Sequence, residues 1–355
     1  MIEQAVLADP SQATAAWLTG VLKAKGVLVN VRVNSVMAEP LPSDNSHMTR
    51  LHLGYENRTE GDLPDSLMLK IVITQPGEFG SSEVDYYTRD YAGLPDAPIP
   101  LCYHAAYSAG QHAYHLLLKD LSATHRNNWE TAPTPAYGRS MAEALACLHA
   151  HWWGQVLAPV AQIERHVAHV RPGFEPLLAH ARDEIPTAWV EALHQIMSAH
   201  PAAMRARLAQ DGHFTLIHGD PNPGNILTAV AGDGQVYLVD RQPFDWSFTA
   251  WLGASDLAYM MALWWDPELR RELEMDVLRH YHASLQQRGV TGYTWEQVLA
   301  DYRLSLMQMV YVPMEWCLLE SDRERMRWLW LVQLQRVMAA VFELDCLGLV
   351  EEVVG

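Results

Sequence analysis

Little in this chain points to a thiol-built metal centre, a nucleic-acid grip or a membrane. Its four cysteines, Cys102, Cys147, Cys317 and Cys346, are scattered with no C-x-x-C pair. That excludes a zinc knuckle and a dithiol redox centre, and leaves reduced, buried thiols as the expectation. Positive charge is scarce: 25 Lys and Arg stand against 42 Asp and Glu, a formal net charge of −17. No basic surface is there to neutralise nucleic-acid phosphates, so no nucleic-acid partner is expected. No uncharged apolar run approaches the ~20 residues that span a bilayer. Internal repeats and low-complexity stretches are also missing. The start, Asp9-Pro10-Ser11-Gln12 leading to Trp17, Leu18, Val21 and Leu22 before Gly26, reads as a capped amphipathic helix and not a signal peptide. A cytoplasmic protein with no membrane contact and no obligate protein partner is the expectation.

What is present is a change of period along 355 residues, enough for two lobes. Val27 to Met37, Met48 to Tyr55 and Ser66 to Ile73 read as strands, the last ending at the breaker Gln75-Pro76-Gly77. Ser81-Ser82-Glu83 caps a helix carrying Val84, Tyr87 and Tyr91, which stops at Gly93. Two further strands, Ile99 to Tyr107 and His112 to Lys119, complete a five-stranded antiparallel sheet. Beyond Leu121 the spacing turns helical, as in Met141, Ala144, Leu145, Leu148 and Trp152, and stays so through Ala188–Leu208 and from Asp256 onward. The division is placed at 1–120 and 121–355, just ahead of the polar, proline-bearing stretch through Thr134.

One stretch, LIHGDPNPGNIL at 216–227, breaks the helical pattern. It packs His218, Asp220, Asn222 and Asn225 among two prolines and two glycines. Ile226–Val230 and Gln235–Val239, around Ala231-Gly232-Asp233-Gly234, then read as a hairpin. Such a hairpin returns Asp240 beside Asn225, while Asp220 lies five residues earlier on a stiff turn. Two carboxylates and an amide oxygen suit a hard cation such as Mg²⁺, and Mg²⁺ suits phosphates. The plain alternative is turn chemistry with Asp240 as a strand-end cap. The order of features decides between them: His-x-Asp, Asn five residues on, then an Asp after a hairpin follows the H-R-D-x-x-x-x-N and DFG spacing of phosphoryl transfer. Lys70 in LMLKIV on the third strand and Glu83 on the next helix stand where that machinery places its ion pair.

At these residues the chain resembles the aminoglycoside phosphotransferase and choline kinase-like family, closest to its ecdysteroid kinase-like (CHK kinase-like) branch. LMLKIV (67–72), SSEVDYY (81–87), HLLLKDLS (115–122), LACLHAHWWG (145–154), IHGDPNPGNIL (217–227) and LVDRQPFDWSFTAWLGASDLAYMM (238–261) carry the resemblance. It implies a protein-kinase-like, two-lobed α+β fold: a small N-lobe of five antiparallel strands and one helix, and a large, mainly helical C-lobe with a catalytic β-hairpin. Asp220 would then accept or orient the proton of a substrate hydroxyl, and Asn225 and Asp240 would hold Mg²⁺ on the phosphates of ATP or GTP. Lys70 would contact those phosphates, oriented by Glu83. The backbone of Lys119 and Leu121 would meet the base edge, and Ser46, with Asn45 and His47, would cover the phosphates, although SDNSH has no glycine. His218 and Asp256 would support the loop. The chain departs from the family pattern at Asn222, where many relatives have His, at Lys119, usually Glu, and at Arg241, often aromatic; Gln242 fits D-x-Q without an evident role.

The remaining candidates are weaker. His149 and His151 sit at i and i+2 and face different sides of a helix, which suits packing or surface roles over a metal pair. The tryptophans, among them Trp152, Trp153, Trp264, Trp265, Trp316, Trp328 and Trp330, are expected to lie mostly in the core. Glu315 and Trp316, with Glu320 and Asp322, could wall an acceptor pocket for a cationic or bulky apolar alcohol, or form a solvated helix face. No A-P-E signature follows Asp240, so no peptide platform is expected. The expected function is transfer of the γ-phosphoryl of ATP, or GTP, to a small-molecule alcohol; the alternative is an inactive pseudokinase that binds nucleotide or ligand.

Overall fold

Thr14 accepts the N–H of Trp17 on its side chain and starts α1 (Ala15–Ala24), which buries Leu18, Val21 and Leu22. Gly26, at φ +72, turns the chain, and the N–H of Val27 closes back on Leu22 at 2.9 Å. The apolar run at 27–31 is thus spent ending a helix and packing beneath it, so the first strand starts later than its valines suggest. The computed structural model describes residues 6–43, 45–56, 63–75, 79–156, 160–210, 212–231, 234–242, 244 and 247–350. Pro76, Gly77, Gly232 and Asp233, on which the expected turns rely, lie outside the described residues.

The strands are β1 (Arg32–Leu41), β2 (His47–Glu56), β3 (Ser66–Ile73), β4 (Cys102–Ser108) and β5 (Ala113–Lys119), in the order β1-β2-β3-β5-β4 and antiparallel throughout. Leu67, Leu69 and Ile71 of β3 join Leu18, Leu22, Leu51 and Leu117 in one core cluster. Lys70 and Val72 alternate to the opposite face and are buried too, which is why β3 reads as a nearly unbroken apolar run. Between β3 and β4, α2 (Ser82–Asp85) continues as a π-helical turn, Tyr86–Asp90. Two-residue β6 (His125–Arg126) pairs with β8 (Ile226–Ala229), which neighbours β9 (Tyr237–Leu238). By its contacts the chain forms two compact units: Met1–Arg126 with Leu227–Asp245, and Asn127–Ile226 with Trp246–Gly355.

The second unit is mainly helical. In it α3 (Pro135–Trp152), capped by Thr134, packs on α8 (Pro267–Gln287), and a Cβ at Gly138 would stand 2.6 Å from Val277. Helices α4 (Val160–Val170), α5 (Phe174–Ala181), α6 (Thr187–Leu208), α7 (Ala254–Ala258), α9 (Trp295–Met309), α10 (Tyr311–Trp316), α11 (Glu320–Arg325) and α12 (Arg327–Glu343) make up most of the rest. One short antiparallel pair, β7 (Thr215–Leu216) with β10 (Ala250–Trp251), joins the segments before the His218 loop and before α7. All four cysteines are free and buried.

The tryptophans correct an expectation. Trp251, Trp265 and Trp330 are buried, but Trp328 is 69% exposed, and Trp152, Trp153, Trp264 and Trp316 are only partly covered. Indole is amphipathic and sits readily at an edge, so helical spacing alone did not place it inside. No helix among the described residues is long and apolar enough to cross a membrane.

Candidate active site

In the first unit, the alternation of β3 that buries Leu69 and Ile71 on one face sends Lys70 to the other. Its Nζ donates to both oxygens of Glu83, at 3.0 and 2.9 Å, and to Asp240. The Tyr114 hydroxyl, from β5, donates to the same Glu83 carboxylate. Burial opposes charge on Lys70, but the carboxylates of Asp240 and Glu83 outweigh it and hold the ammonium's pKa above its ordinary value. Burial pushes Glu83 up to about 7, with Lys70 opposing and Asp240 reinforcing the rise.

Asp240 has φ +63, left-handed backbone that Asp tolerates better than most residues. Its side chain stays 46% exposed, so an acceptor-only carboxylate is open to solvent beside the lysine. The next residues tie this segment to the π-helical turn and its flanks. Arg241 donates to Asp90 at 2.5 Å, Ser82 donates to the Gln242 carbonyl at 3.0 Å, and the Phe79 and Phe244 rings meet edge to face at 4.9 Å.

The second unit contains the loop from Ile217 to Asn225. Asp256, on α7, accepts the backbone N–H of His218 at 2.7 Å and of Gly219 at 2.9 Å, and pairs with His149 Nε2 at 3.1 Å. His149 Nδ1 in turn meets the Tyr281 hydroxyl at 2.8 Å. Burial works against the Asp256 charge, yet the His149 hydrogen bond, the charges of His149 and His218, and the Gly219 N–H keep its pKa below the usual carboxylate range. Gly219, at φ +83, makes the turn a side chain would strain.

Within the loop, Asp220 is held from several sides. Asn222 donates to its Oδ1 at 2.9 Å, and Asn225 Nδ2 donates to its carbonyl at 2.9 Å and its Oδ2 at 3.1 Å. The Asp220 N–H donates to His218 Nδ1 at 3.3 Å. Asn222 Oδ1 takes the N–H of Gly224 at 2.7 Å, an Asx-type closure. Asn128 braces the far side, its N–H on the Pro223 carbonyl and its amide on that of Ile226, both at 2.9 Å.

Tyr259, in the turn after α7, is near enough that burial first and then the Asp220 charge hold its hydroxyl well above the usual pKa. Glu315 of α10 is near enough that burial, reinforced by the Asp220 charge, pushes its carboxyl up to about 8. Trp316 flanks it, half-covered, while Glu320 is exposed on the separate helix α11. Beside the loop, a cavity of about 310 Å³ is lined by Trp129, Tyr137, Pro223, Trp264 and Trp265, with Glu130 and Asp266 and no cationic side chain.

The remaining expected residues lie in the first unit. Ser46 pairs its hydroxyl with Ser43 at 2.7 Å in the exposed turn before β2. The Lys119 N–H is taken by the Leu101 carbonyl at 2.8 Å, and the Leu121 carbonyl by the N–H groups of Thr124 and His125. Lys70, Glu83 and Asp240 are therefore assembled in one unit, and His218, Asp220, Asn225, Asp256 and Glu315 in the other.

Sequence reading missed Tyr114, Tyr259 and Asn128 as members of these clusters. Tyr259 lies inside the quoted ASDLAYMM stretch, three residues after Asp256 and one helical turn from it, which is the only signal that could have found it. Among the described residues no group of three or more His, Cys, Asp or Glu forms a metal cage. The open carboxylate of Asp240 in the first unit, and the side-chain oxygen of Asn225 in the second, are each the kind of donor that hard cations take.

A family model described as the phosphotransferase enzyme family, APH, matches residues 81–298, more than half of the chain. No curated protein sequence matches significantly. Among solved structures, a choline kinase from Cryptosporidium parvum Iowa II aligns over 96% of this chain and 99% of its own, with a TM-score of 0.60 and 10% identity. A glucosamine kinase aligns over 94% and 99%, with a TM-score of 0.51 and 14% identity. A GDP complex of an aminoglycoside 2′-phosphotransferase-IIIa mutant aligns over 93% and 98%, with a TM-score of 0.51 and 12% identity. At such identities the likeness is one of fold, the kinase-like fold of a five-stranded antiparallel N-lobe and a mainly helical C-lobe. The matched family model goes further: the chain belongs to the phosphotransferase enzyme family.

Proposed function

We propose that the protein is a small-molecule kinase that moves the γ-phosphoryl group of ATP or GTP to a hydroxyl of an alcohol. The observation that carries this reading is the buried Lys70 held between Glu83 and Asp240, a fixed cation with an open carboxylate beside it. In this reading Lys70 binds the nucleotide phosphates and Glu83 orients it, Tyr114 fixing Glu83 in turn. Asn225 and Asp240 hold Mg²⁺, which supplies charge neutralisation on the phosphates. The connector at Lys119 and Leu121 meets the base, with the Leu121 N–H as donor because the Lys119 N–H is spent. The turn at Ser46 lies over the phosphates.

Asp220 receives the proton of the attacking hydroxyl. Asn222 and Asn225 fix its carboxylate, which leaves positioning as the main task of the loop. The solved relatives are named for choline, glucosamine and aminoglycosides, all hydroxyl-bearing amines. The aromatic cavity beside the loop, with Glu130 and Asp266 in its lining, supports a cationic or bulky apolar alcohol as acceptor. The motifs favour the CHK kinase-like branch, and a cytoplasmic enzyme is in keeping with it.

A screen of amino alcohols, amino sugars, sugars and sterol-like alcohols with Mg-ATP and Mg-GTP, read by an 80-dalton mass gain ~ that of HPO₃, tests the reading. On the acceptor so found, Asp220→Ala and Asp240→Ala are expected to lose about 10²- to 10⁴-fold in kcat with the fold intact. Nucleotide binding with no product across the panel would instead favour a pseudokinase.

A further inference from the structure

Arg241 stands directly after the proposed metal ligand, and its environment is unlike that of a surface arginine. Its guanidinium donates to Asp90 at 2.5 Å, with both side chains only 2% exposed, and lies 5.8 Å from the Tyr86 ring centre. Asp90 ends the π-helical turn that continues α2, the helix of Glu83. Arg89 holds the other Asp90 oxygen at 2.9 Å. The Ser82–Gln242 bond, the Tyr86 hydroxyl on the Leu238 carbonyl at 3.4 Å and the Phe79–Phe244 bridge join the same two segments.

A buried ion pair is an expensive way to gain stability, since apolar residues of the same volume often do as well. What it supplies is a fixed distance and direction. Asp240 needs both, because its left-handed backbone persists only where its neighbours over-determine it. The clamp acts at the adjacent residue, on the segment that must present one carboxylate oxygen to Lys70 while keeping the carboxylate exposed.

We infer that Arg241 is a positioning residue for Asp240: by pairing with Asp90 it locks the Asp240 segment to the Glu83 helix, so that Lys70, Glu83 and the metal-binding carboxylate are set as one piece. The inference rests on the proposed kinase reading, in which Asp240 holds the metal. It separates two effects that a merely structural role would move together, metal affinity and nucleotide affinity without metal.

The test counts free Mn²⁺ by electron paramagnetic resonance during titration of the full chain with and without ADP, alongside metal-free ADP binding by calorimetry. The variants are Arg241→Met, Arg241→Lys and, because a lone Asp90 would be left buried, the double change Arg241→Met with Asp90→Leu, each checked by thermal melting. In folded Arg241→Met or the double variant, Mn²⁺ affinity in the presence of ADP is expected to fall about 10- to 100-fold, as for other residues that orient metal ligands. Metal-free ADP affinity stays at the wild-type value, and Arg241→Lys recovers most of the metal affinity. A folded double variant with wild-type Mn²⁺ affinity overturns the inference and leaves the kinase reading standing. Wild-type protein that binds no Mn²⁺ with ADP, nor with GDP in its place, overturns both.

Discussion

The backbone N–H of His218 donates to the Asp256 carboxylate at 2.7 Å across thirty-eight residues of sequence, and that single side chain sets the entry to the His218–Asn225 loop. Asp256 also takes the Gly219 N–H and His149 while wholly buried, so removing it strands several donors at once. Asp256→Ala is expected to cost roughly 3–5 kcal/mol in urea-denaturation stability, and Asp256→Asn less, since the amide keeps one acceptor. An Asp256→Ala protein as stable as wild type would show that the loop is held by something else.

The Lys70 cluster makes a kinetic prediction. Lys70→Met removes a fixed cation and should lower kcat by about 10²- to 10³-fold, the scale of losing one preorganised electrostatic group. Tyr114→Phe, which removes only the hydroxyl on Glu83, should cost far less, within about tenfold. Steady-state rates on the acceptor found by the screen decide whether the two differ in that order.

Glu315 makes a pH prediction. Its folded pKa, about 8, lies above the ordinary carboxyl value of 4.5, because burial and then the Asp220 charge disfavour its ionised form. The unfolded chain releases that proton first, so stability from this group is whole below about pH 4.5 and is lost as pH rises toward 8. Melting temperature should fall across that window, and Glu315→Gln should flatten the fall. An unchanged slope in the variant would place the titrating group elsewhere.

Asn222 departs from the pattern that the sequence resemblance implies, and its contacts give it a use: its amide binds Asp220 Oδ1 while its oxygen closes on the Gly224 N–H. Asn222→Ala should cost about 1–2 kcal/mol of stability. It should also lower kcat more than it raises KM, because it releases the proposed base and not the acceptor. Asn222→Asp keeps the acceptor for the Gly224 N–H but loses the donor and sets a second carboxylate against Asp220, so it should recover neither the full stability nor the rate.

What could be read in advance follows from how local each signal is. Alternation along β2 and the apolar run of β3 marked two strands of the sheet, and the side of β3 that carries Lys70 follows from the strand's period of two. The helix with Glu83 was marked by its serines, though not its passage into a π-helical turn after Asp85. Tyr114 and the Arg241–Asp90 pair left no mark, because each joins residues distant in sequence through a contact with no period. Val27 and Val31 misled for the opposite reason: a strand-like run was used to close α1. Trp328 shows the limit of helical spacing, which identifies a face but not what covers it.

The order in which the first unit is made differs from the order in which it is joined. Its sheet lies within the first 126 residues, yet Asp240 reaches Lys70 from 170 residues further on, and Arg241 reaches Asp90 from 151. When a ribosome has released the sheet, Lys70 has Glu83 but not Asp240 and Asp90 has Arg89 but not Arg241, and one hundred residues of the other unit, 127–226, must be synthesised before either set is complete. A protein cut after Arg126 would therefore hold every strand of the main sheet and neither of the two proposed metal ligands, Asn225 and Asp240.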